Sequence, residues 1–375
     1  MSNYTRMSWI GIMLILALNV IPANANNLSS KASTETSAYH SRLASMGLPA
    51  IATHSARLNR KIDQYIKRGG RSTELMLARI ELYFPIFERH LRERGLPDAL
   101  KYLPVAESRL RSRAISPASA AGLWQLMPRT ARYYGLRVDR IVDERLDANL
   151  ATEAAIDMLI ELYEEFGDWN LVLAAYNCGP YRVKKAVARA GSTRYEDIKR
   201  YLPSETRQYL EAYTAAAYAS IFASDHGFKV RHSAWNAADL TEMILYNELN
   251  LRDAANLAGM NYRDFRRLNP SYLRGYVPKN SKGYRLMIPK TAFYAIGRTI
   301  WGRDNLVELP RRERSKRAIE LAAQKGFDAY RMLMGLPTEI MAQYNDLSYA
   351  EYAADELVIG IFANQPTLVE ATQLP

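Results

Sequence analysis

The chain has 375 residues, of which 48% are hydrophobic, a formal net charge of +11 and one cysteine. That length and apolar content permit a sizeable core with smaller additions, whereas a single cysteine excludes an internal disulfide and any cysteine-built metal cluster. The positive charge implies an anionic partner without choosing among wall polymer, nucleic acid and acidic lipid, because net charge sets non-specific attraction and not chemistry; no nucleic-acid module is legible.

The first residues read as an export signal. Arg6 precedes an apolar run over 9–21, and Ala23-Asn24-Ala25 supplies small residues at the spacing of a signal-peptidase site, so 1–25 is expected to be removed and the mature chain to begin near Asn26. The run is too short for a spanning helix, with an uncleaved anchor as the alternative, and no cysteine follows it to carry a lipid. Residues 26–53, rich in Ser, Ala, Thr and Asn, read as a flexible lead-in. Residues 55–94 read as helix interrupted at Gly69-Gly70, so 26–74 forms an N-terminal flexible and helical segment.

The most informative residue is Glu107. Leu100, Leu103 and Glu107 follow one another at spacings of three and four after Pro97, which predicts a helix that turns the carboxyl toward its buried stripe. Pro104 is expected to kink that helix just before the acid. Leu103, Leu110, Trp124 and Met127 would strip hydration from the carboxyl and raise its pKa, as a general acid at neutral pH requires. The competing reading is a helix-end carboxylate paired with Arg109 or Arg111. From Ser108 to Val138 the chain carries no Asp or Glu but supplies Ser116, Trp124, Gln125 and Met127. Ordinary glycoside hydrolysis uses two carboxylates, so a lone Glu107 calls for a substrate-assisted mechanism unless Asp139, Asp143, Glu144 or Asp147 folds back. Further on, 151–166, closed by Gly167-Asp168, and 204–222 show helical spacing.

Taken together, Glu107-Ser108, Ser116-Pro117, Gly122-Leu123-Trp124-Gln125-Leu126-Met127-Pro128, Asp143-Glu144-Arg145, Ala174-Ala175-Tyr176-Asn177-Cys178-Gly179-Pro180 and Glu205-Thr206-Arg207-Gln208-Tyr209 resemble the catalytic domain of soluble-type lytic transglycosylases. The likeness is greatest to the membrane-bound lytic murein transglycosylase D group. It covers about 75–223, and places a catalytic domain at 75–230. It implies a mainly α, lysozyme-like helical domain in which Glu107 protonates the glycosidic oxygen between N-acetylmuramic acid and N-acetylglucosamine, then deprotonates the muramoyl C6 hydroxyl to leave a 1,6-anhydro end. It further implies that Ser116, Gln125, Met127, Tyr176 and Asn177 line the glycan cleft, that Tyr209 lies near the acid, and that Ser108 steadies the backbone. Trp124 fits core and cleft equally, and Gln125 or Asn177 could also cap a loop. Two residues depart from the pattern: Ser119 stands where glycine is frequent and Cys178 where alanine is usual. The basic run 109–113 reads as a solvated face or as a contact for substrate peptide carboxylates.

From 240 to 290 the order of helix, helix and closing strand resembles a degenerate LysM module, a small α/β fold placed at 238–292, without its usual opening turn. Glycan binding and a packing role are both open for it. Residues 293–375 read as a helical C-terminal extension, with a basic run at 311–317 and helices over 318–334 and 349–362. The expectation is a periplasmic or secreted lytic transglycosylase, needing no metal or organic cofactor, that acts on peptidoglycan glycan strands and binds no nucleic acid. Its basic surface would favour peripheral association with membrane or wall. A hydrolytic muramidase and a non-catalytic wall-binding scaffold are the rivals.

Overall fold

The computed structural model describes residues 39–229 and 235–300, apart from 40, 51, 53 and 54. The signal-peptide segment, most of the lead-in and the extension beyond 300, with its basic run, lie outside the described residues. Among those described, no helix is long and apolar enough to cross a membrane.

Ser55 opens α1 (Ala56–Ile66) by accepting the Leu58 N–H, and α1 buries Leu58, Ile62 and Tyr65. The helix α2 (Gly70–Glu93) is the spine of the larger unit, burying Met76, Leu77, Phe84, Phe87 and Leu91. The stretch after Pro97 differs from a single kinked helix. It is a 3-10 turn, Asp98–Tyr102, followed by a separate helix α3 (Leu103–Ser108). Pro104 has no N–H to offer a preceding carbonyl and is tolerated only in a first turn, so the helix restarts at Leu103 instead of bending.

A short irregular segment follows, pinned by isolated bridges between Ile115 and Ala121 and between Ala121 and Leu126, and leads into α4 (Pro128–Tyr133). Asp147 caps α5 (Ala148–Phe166) by accepting from the Asn149 and Leu150 N–H groups, and Gly167 ends it in the left-handed region at φ 64°. Asp168 caps α6 (Trp169–Cys178) in the same way, and Pro180 starts α7 (Pro180–Ala190) at its first position. After α8 (Tyr195–Ile198), the segment whose spacing predicts one helix over 204–222 is divided at Gln208 into α9 (Ser204–Arg207) and α10 (Tyr209–Phe222). The division sets Tyr209 at the start of α10, which is packed between α1, α3 and α6 with Tyr209, Leu210, Tyr213 and Tyr218 buried.

The smaller unit begins with a strand that the sequence pattern left unassigned: β1 (Leu240–Leu245), buried through Leu240, Met243 and Leu245. A short strand β2 (Leu249–Asn250) leads into α11 (Leu251–Leu257) and α12 (Tyr262–Leu268), then β3 (Tyr276–Val277), β4 (Tyr284–Pro289) and α13 (Phe293–Ile300). β1 and β4 are antiparallel, Leu240 facing Pro289 and Leu245 facing Tyr284, and β2 pairs with β3. Asn269 completes the layer with its side chain: its Nδ2 donates to the Met287 carbonyl and its Oδ1 accepts the Met287 N–H, each at 2.7 Å.

The two units share a seam. Val142, from the larger unit, is fully buried in the core of the smaller one beside Met243, Phe265, Leu286 and Ile288. Around it the Asp143 N–H donates to the Ser271 carbonyl and the Leu273 N–H to the Ile141 carbonyl, both at 2.9 Å. Arg285 on β4 pairs with Glu153 on α5 at 2.7 Å, and Asn149 Nδ2 donates to Glu242 on β1 at 2.8 Å.

Candidate active site

Glu107 sits on the last turn of α3, and the backbone immediately turns left-handed at Arg109 and Leu110, φ 51° and 57°. Ser108 ties this turn down: its hydroxyl bonds the Pro104 carbonyl at 3.1 Å and the Leu123 carbonyl at 3.0 Å. Leu103, Leu110 and Trp124 are fully buried. Met127 is not part of that enclosure: it immediately precedes α4 and is 43% exposed. The phenols of Tyr176 and Tyr209 take its place, each acted on by the charge of Glu107.

The Glu107 carboxyl is pushed up from the ordinary 4.5 to about 7, first by loss of hydration, with the charge of Glu205 adding to it and the hydrogen bond from Tyr209 opposing it. The residue as a whole is half-buried, so the carboxyl is walled by protein on most sides yet reachable. Tyr209 O–H donates to Glu107 Oε1. Tyr176 O–H donates to the Trp124 carbonyl at 2.7 Å. A carboxyl that is about half protonated at neutral pH can give a proton and take one back, which an ordinary surface carboxylate does not do efficiently.

The segment 114–126 is tied to the Glu107 turn by the Ser108–Leu123 bond and to Tyr176 through the Trp124 carbonyl. Gly122 adopts φ +83°, and an added Cβ there would stand 1.8 Å from the Arg145 carbonyl oxygen, so only glycine fits. Ser119 and Gln125 are also left-handed, φ 66° and 48°. Ser119 thus occupies a conformation that suits glycine, at a cost of about 1 kcal/mol. Gln125 Nε2 donates to the carbonyls of Ala114 and Gly122 at 3.2 and 2.9 Å, so its nitrogen braces the loop and its oxygen is left for other partners. Ser116 Oγ accepts the Ala120 N–H at 3.0 Å. Asn177 Oδ1 accepts from Thr206 Oγ at 2.7 Å, which joins α6 to α9. Trp124 is core: its Nε1 donates to Thr152 Oγ at 2.8 Å and its ring meets Phe87 edge-on at 5.4 Å. Cys178 is half-buried, with burial raising its thiol pKa.

None of the four carboxylates weighed as a second acid is free for that role. Asp143 is locked to Arg145, whose Nη1 also donates to the carbonyls of Ser119 and Leu126 at 2.7 and 3.1 Å. Asp139 is engaged by Arg137 and by two backbone N–H groups, Glu144 accepts the Arg137 N–H at 2.6 Å, and Asp147 caps α5. Burial and then the neighbouring Glu242 push Asp147 up as well, against the N–H groups of Leu150 and Asn149 that it caps and the charge of Arg285, which pull it down. The carboxylate that does act on Glu107 is Glu205, exposed on α9; it was legible only as part of the Glu205-Tyr209 stretch, since nothing in the spacing brings α9 to α3. A cavity of about 840 Å³ lies on the seam between the units, lined by Tyr83, Arg89, Asn149, Glu242, Met287 and Phe293 among others, and does not include Glu107.

The chain is similar to known proteins in both units. Residues 84–199 match the Transglycosylase SLT domain, and residues 240–296 match the LysM-like domain of lytic transglycosylase MltD. The chain is 31% identical over 250 residues to membrane-bound lytic murein transglycosylase D of Escherichia coli K12, an alignment that covers 65% of this chain and 53% of that protein. It therefore spans about half the length of the curated relative it matches. Among solved structures, the 70 kDa soluble lytic transglycosylase of Escherichia coli shares 24% identity over 38% of this chain and 24% of its own, with a TM-score of 0.34. The 70 kDa soluble lytic transglycosylase in complex with bulgecin A shares 22% over 48% and 31%, with a TM-score of 0.36.

Proposed function

We propose, for a chain that belongs through residues 84–199 to the transglycosylase SLT domain family and through residues 240–296 to the LysM-like domain family of MltD, that it is a lytic transglycosylase of peptidoglycan with Glu107 as its one acid and base. The observation that carries the reading is the Glu107 carboxyl, raised to about 7 and held by Tyr209. In the protonated state it gives its proton to the oxygen linking N-acetylmuramic acid to N-acetylglucosamine as the glycosidic bond breaks. The carboxylate so formed takes the proton of the muramoyl C6 hydroxyl, whose oxygen closes on the anomeric carbon, and the enzyme is returned to its starting state. The 2-acetamido group of the substrate meets the positive charge that develops between the two steps, in place of the second carboxylate used in ordinary hydrolysis.

In this reading Ser116, Gln125, Met127, Tyr176 and Asn177 line the glycan cleft, Tyr209 orients the acid, and Ser108 supports it. Mass spectrometry of muropeptides released from sacculi tests the outcome. Ends lacking one water relative to the reducing sugar are expected; reducing ends would replace the proposal with hydrolysis. The presence of Glu205 near the acid favours that second reading enough to name it, since a second carboxylate could activate a water. Release of no soluble fragments would leave a wall-binding scaffold.

The export signal at 1–25 and the division into 26–74, 75–230, 238–292 and 293–375 belong to the same proposal, as does a periplasmic or secreted location. N-terminal sequencing of the exported protein checks the first, expected to begin near Asn26, and limited proteolysis checks the second.

A further inference from the structure

The cavity on the seam is a groove with a wall from each unit. From the larger unit, α2 lines it with Leu82, Ile86 and Arg89, which follow at spacings of four and three and so share one helix face. From the smaller unit come Met287 on β4, Lys290 and Phe293. The volume is about 840 Å³, within the range of ligand-sized sites, and Arg89 and Lys290 are exposed, so the groove opens to solvent. Its charges do not cancel. The Arg89 guanidinium donates to Asn149 Oδ1 at 2.7 Å and meets a ring nitrogen of His90 at 3.1 Å, and Lys290 makes no side-chain hydrogen bond or ion pair with a described residue; neither cation meets an acid among the described residues. Arg267, the third cation of the lining, is taken by Asp264 at 2.8 Å. Glu242, the one acid of the lining, is already engaged: its Oε1 accepts from Asn149 Nδ2 at 2.8 Å and its Oε2 lies 3.7 Å from Arg285. An occupant that carries carboxylates beside apolar groups fits such a lining.

We propose that this groove seats an acidic stretch of the chain itself, within 332–375. That stretch carries Glu339, Asp346, Glu351, Asp355, Glu356 and Glu370 and no Lys or Arg, in a chain whose formal net charge is +11. Over 349–362, where the spacing predicts a helix, Tyr352, Asp355, Glu356 and Ile359 follow at intervals of three, one and three, so two carboxylates and two apolar side chains share one face. Laid in the groove, that face sets its carboxylates against Arg89 and Lys290 and its apolar groups against the stripe of α2, the helix-in-groove mode of recognition. Phe293 both lines the groove and opens α13, so the acidic stretch is tethered to one wall of its own site. A tether raises the local concentration of its segment to the order of millimolar, and pairs between exposed charges, each weak alone, then suffice to hold it. Docking there bridges α2 and β4 across the seam. Glu107 does not line the groove, so the inference stands apart from the cleavage reading.

The test uses the full chain. A zero-length carbodiimide joins an amine to a carboxylate only where the two touch, and a mixture of isotope-labelled and unlabelled chains tells coupling within a chain from coupling between chains. Lys290 is expected to couple to a carboxylate within 332–375 in same-label products. Mixed-label products would give the groove to a second copy, and absence of any such Lys290 coupling would overturn the docking; this arm needs no variant to fold. In the second arm, hydrogen exchange follows the amides of 349–362. Lys290→Glu alone, and Asp355→Lys with Glu356→Lys alone, are each expected to speed their exchange about three- to tenfold, the scale of losing exposed charge pairs. All the changes together are expected to bring it back to within about twofold of the unsubstituted chain. Accelerations that simply multiply, or no acceleration at all, overturn the proposal. So does a soluble glycan fragment with its stem peptides that slows exchange in α2 and β1 while 349–362 stays as it was, since the groove would then belong to that ligand.

Discussion

Replacing Glu107 with Gln changes stability in a pH-dependent way. The folded-state pKa is about 7 against an ordinary 4.5, so the folded protein holds this proton more tightly than the unfolded chain does. The stability contributed by the protonated group is complete below about 4.5 and is lost as pH rises through about 7. The span of roughly 2.5 units corresponds to about 3.4 kcal/mol at 1.36 kcal/mol per unit; for a half-buried residue reached by solvent, screening reduces this to about 2 kcal/mol. Gln does not titrate, and its carbonyl still accepts from Tyr209. The unfolding free energy of the Gln variant minus that of the unsubstituted protein should therefore climb by about 2 kcal/mol between pH 4.5 and 8, and be flat on either side. Paired urea melts across that range measure the difference while other titrating groups cancel. A difference that stays level, or that falls with pH, would refute the claim that desolvation dominates this carboxyl.

Tyr209→Phe removes the hydrogen bond that holds the Glu107 pKa down, so the alkaline limb of the kcat/KM profile should move to higher pH while the rate falls; an acid shift would contradict it. Glu205→Gln removes a negative charge that raises the same pKa, so the limb should move to lower pH with turnover kept within about tenfold, whereas loss of two or more orders of magnitude would make Glu205 a second catalytic group. Arg145→Met leaves Asp143 buried without its ion-pair partner, frees the Ser119 carbonyl and leaves the Leu126 carbonyl with the Ala121 N–H alone. It should cost about 3–5 kcal/mol in a denaturant melt, and a loss under 1 kcal/mol would show that the pair carries little.

The sequence was most readable where local chemistry decides the outcome. Gly167 ends its helix as the spacing predicts, and Glu107 was legible from its placement on an apolar stripe, whereas Asp147, weighed only as a second acid, turns out to cap α5, which starts three residues before the expected position. Met127 was misplaced in the enclosure because spacing reports which face a residue is on, not whether another element comes to cover it. The same limit hid the influence of Glu205 on Glu107, which depends on an element distant in the chain. The opening strand of the smaller unit went unread because it lacks the expected turn: β1 is recognised by its pairing with β4, some forty residues away in sequence.

Local preference is overruled most in the segment that follows the acid. Among the described residues, the four non-glycine positions with positive φ are Arg109, Leu110, Ser119 and Gln125, and all lie in the segment between the acid and α4. Each costs about 1 kcal/mol or more, so that segment would not hold its shape alone. Ser108 ties its start to Leu123, Gln125 ties its far end back to Ala114, and Arg145 ties its middle and far end through the carbonyls of Ser119 and Leu126. Arg145 is in turn held by Asp143, whose N–H is bonded to Ser271 of the smaller unit. The seam is therefore connected by hydrogen bonds to the segment that follows Glu107, and a change at Ser271 has a physical route to Leu126, the neighbour of Gln125.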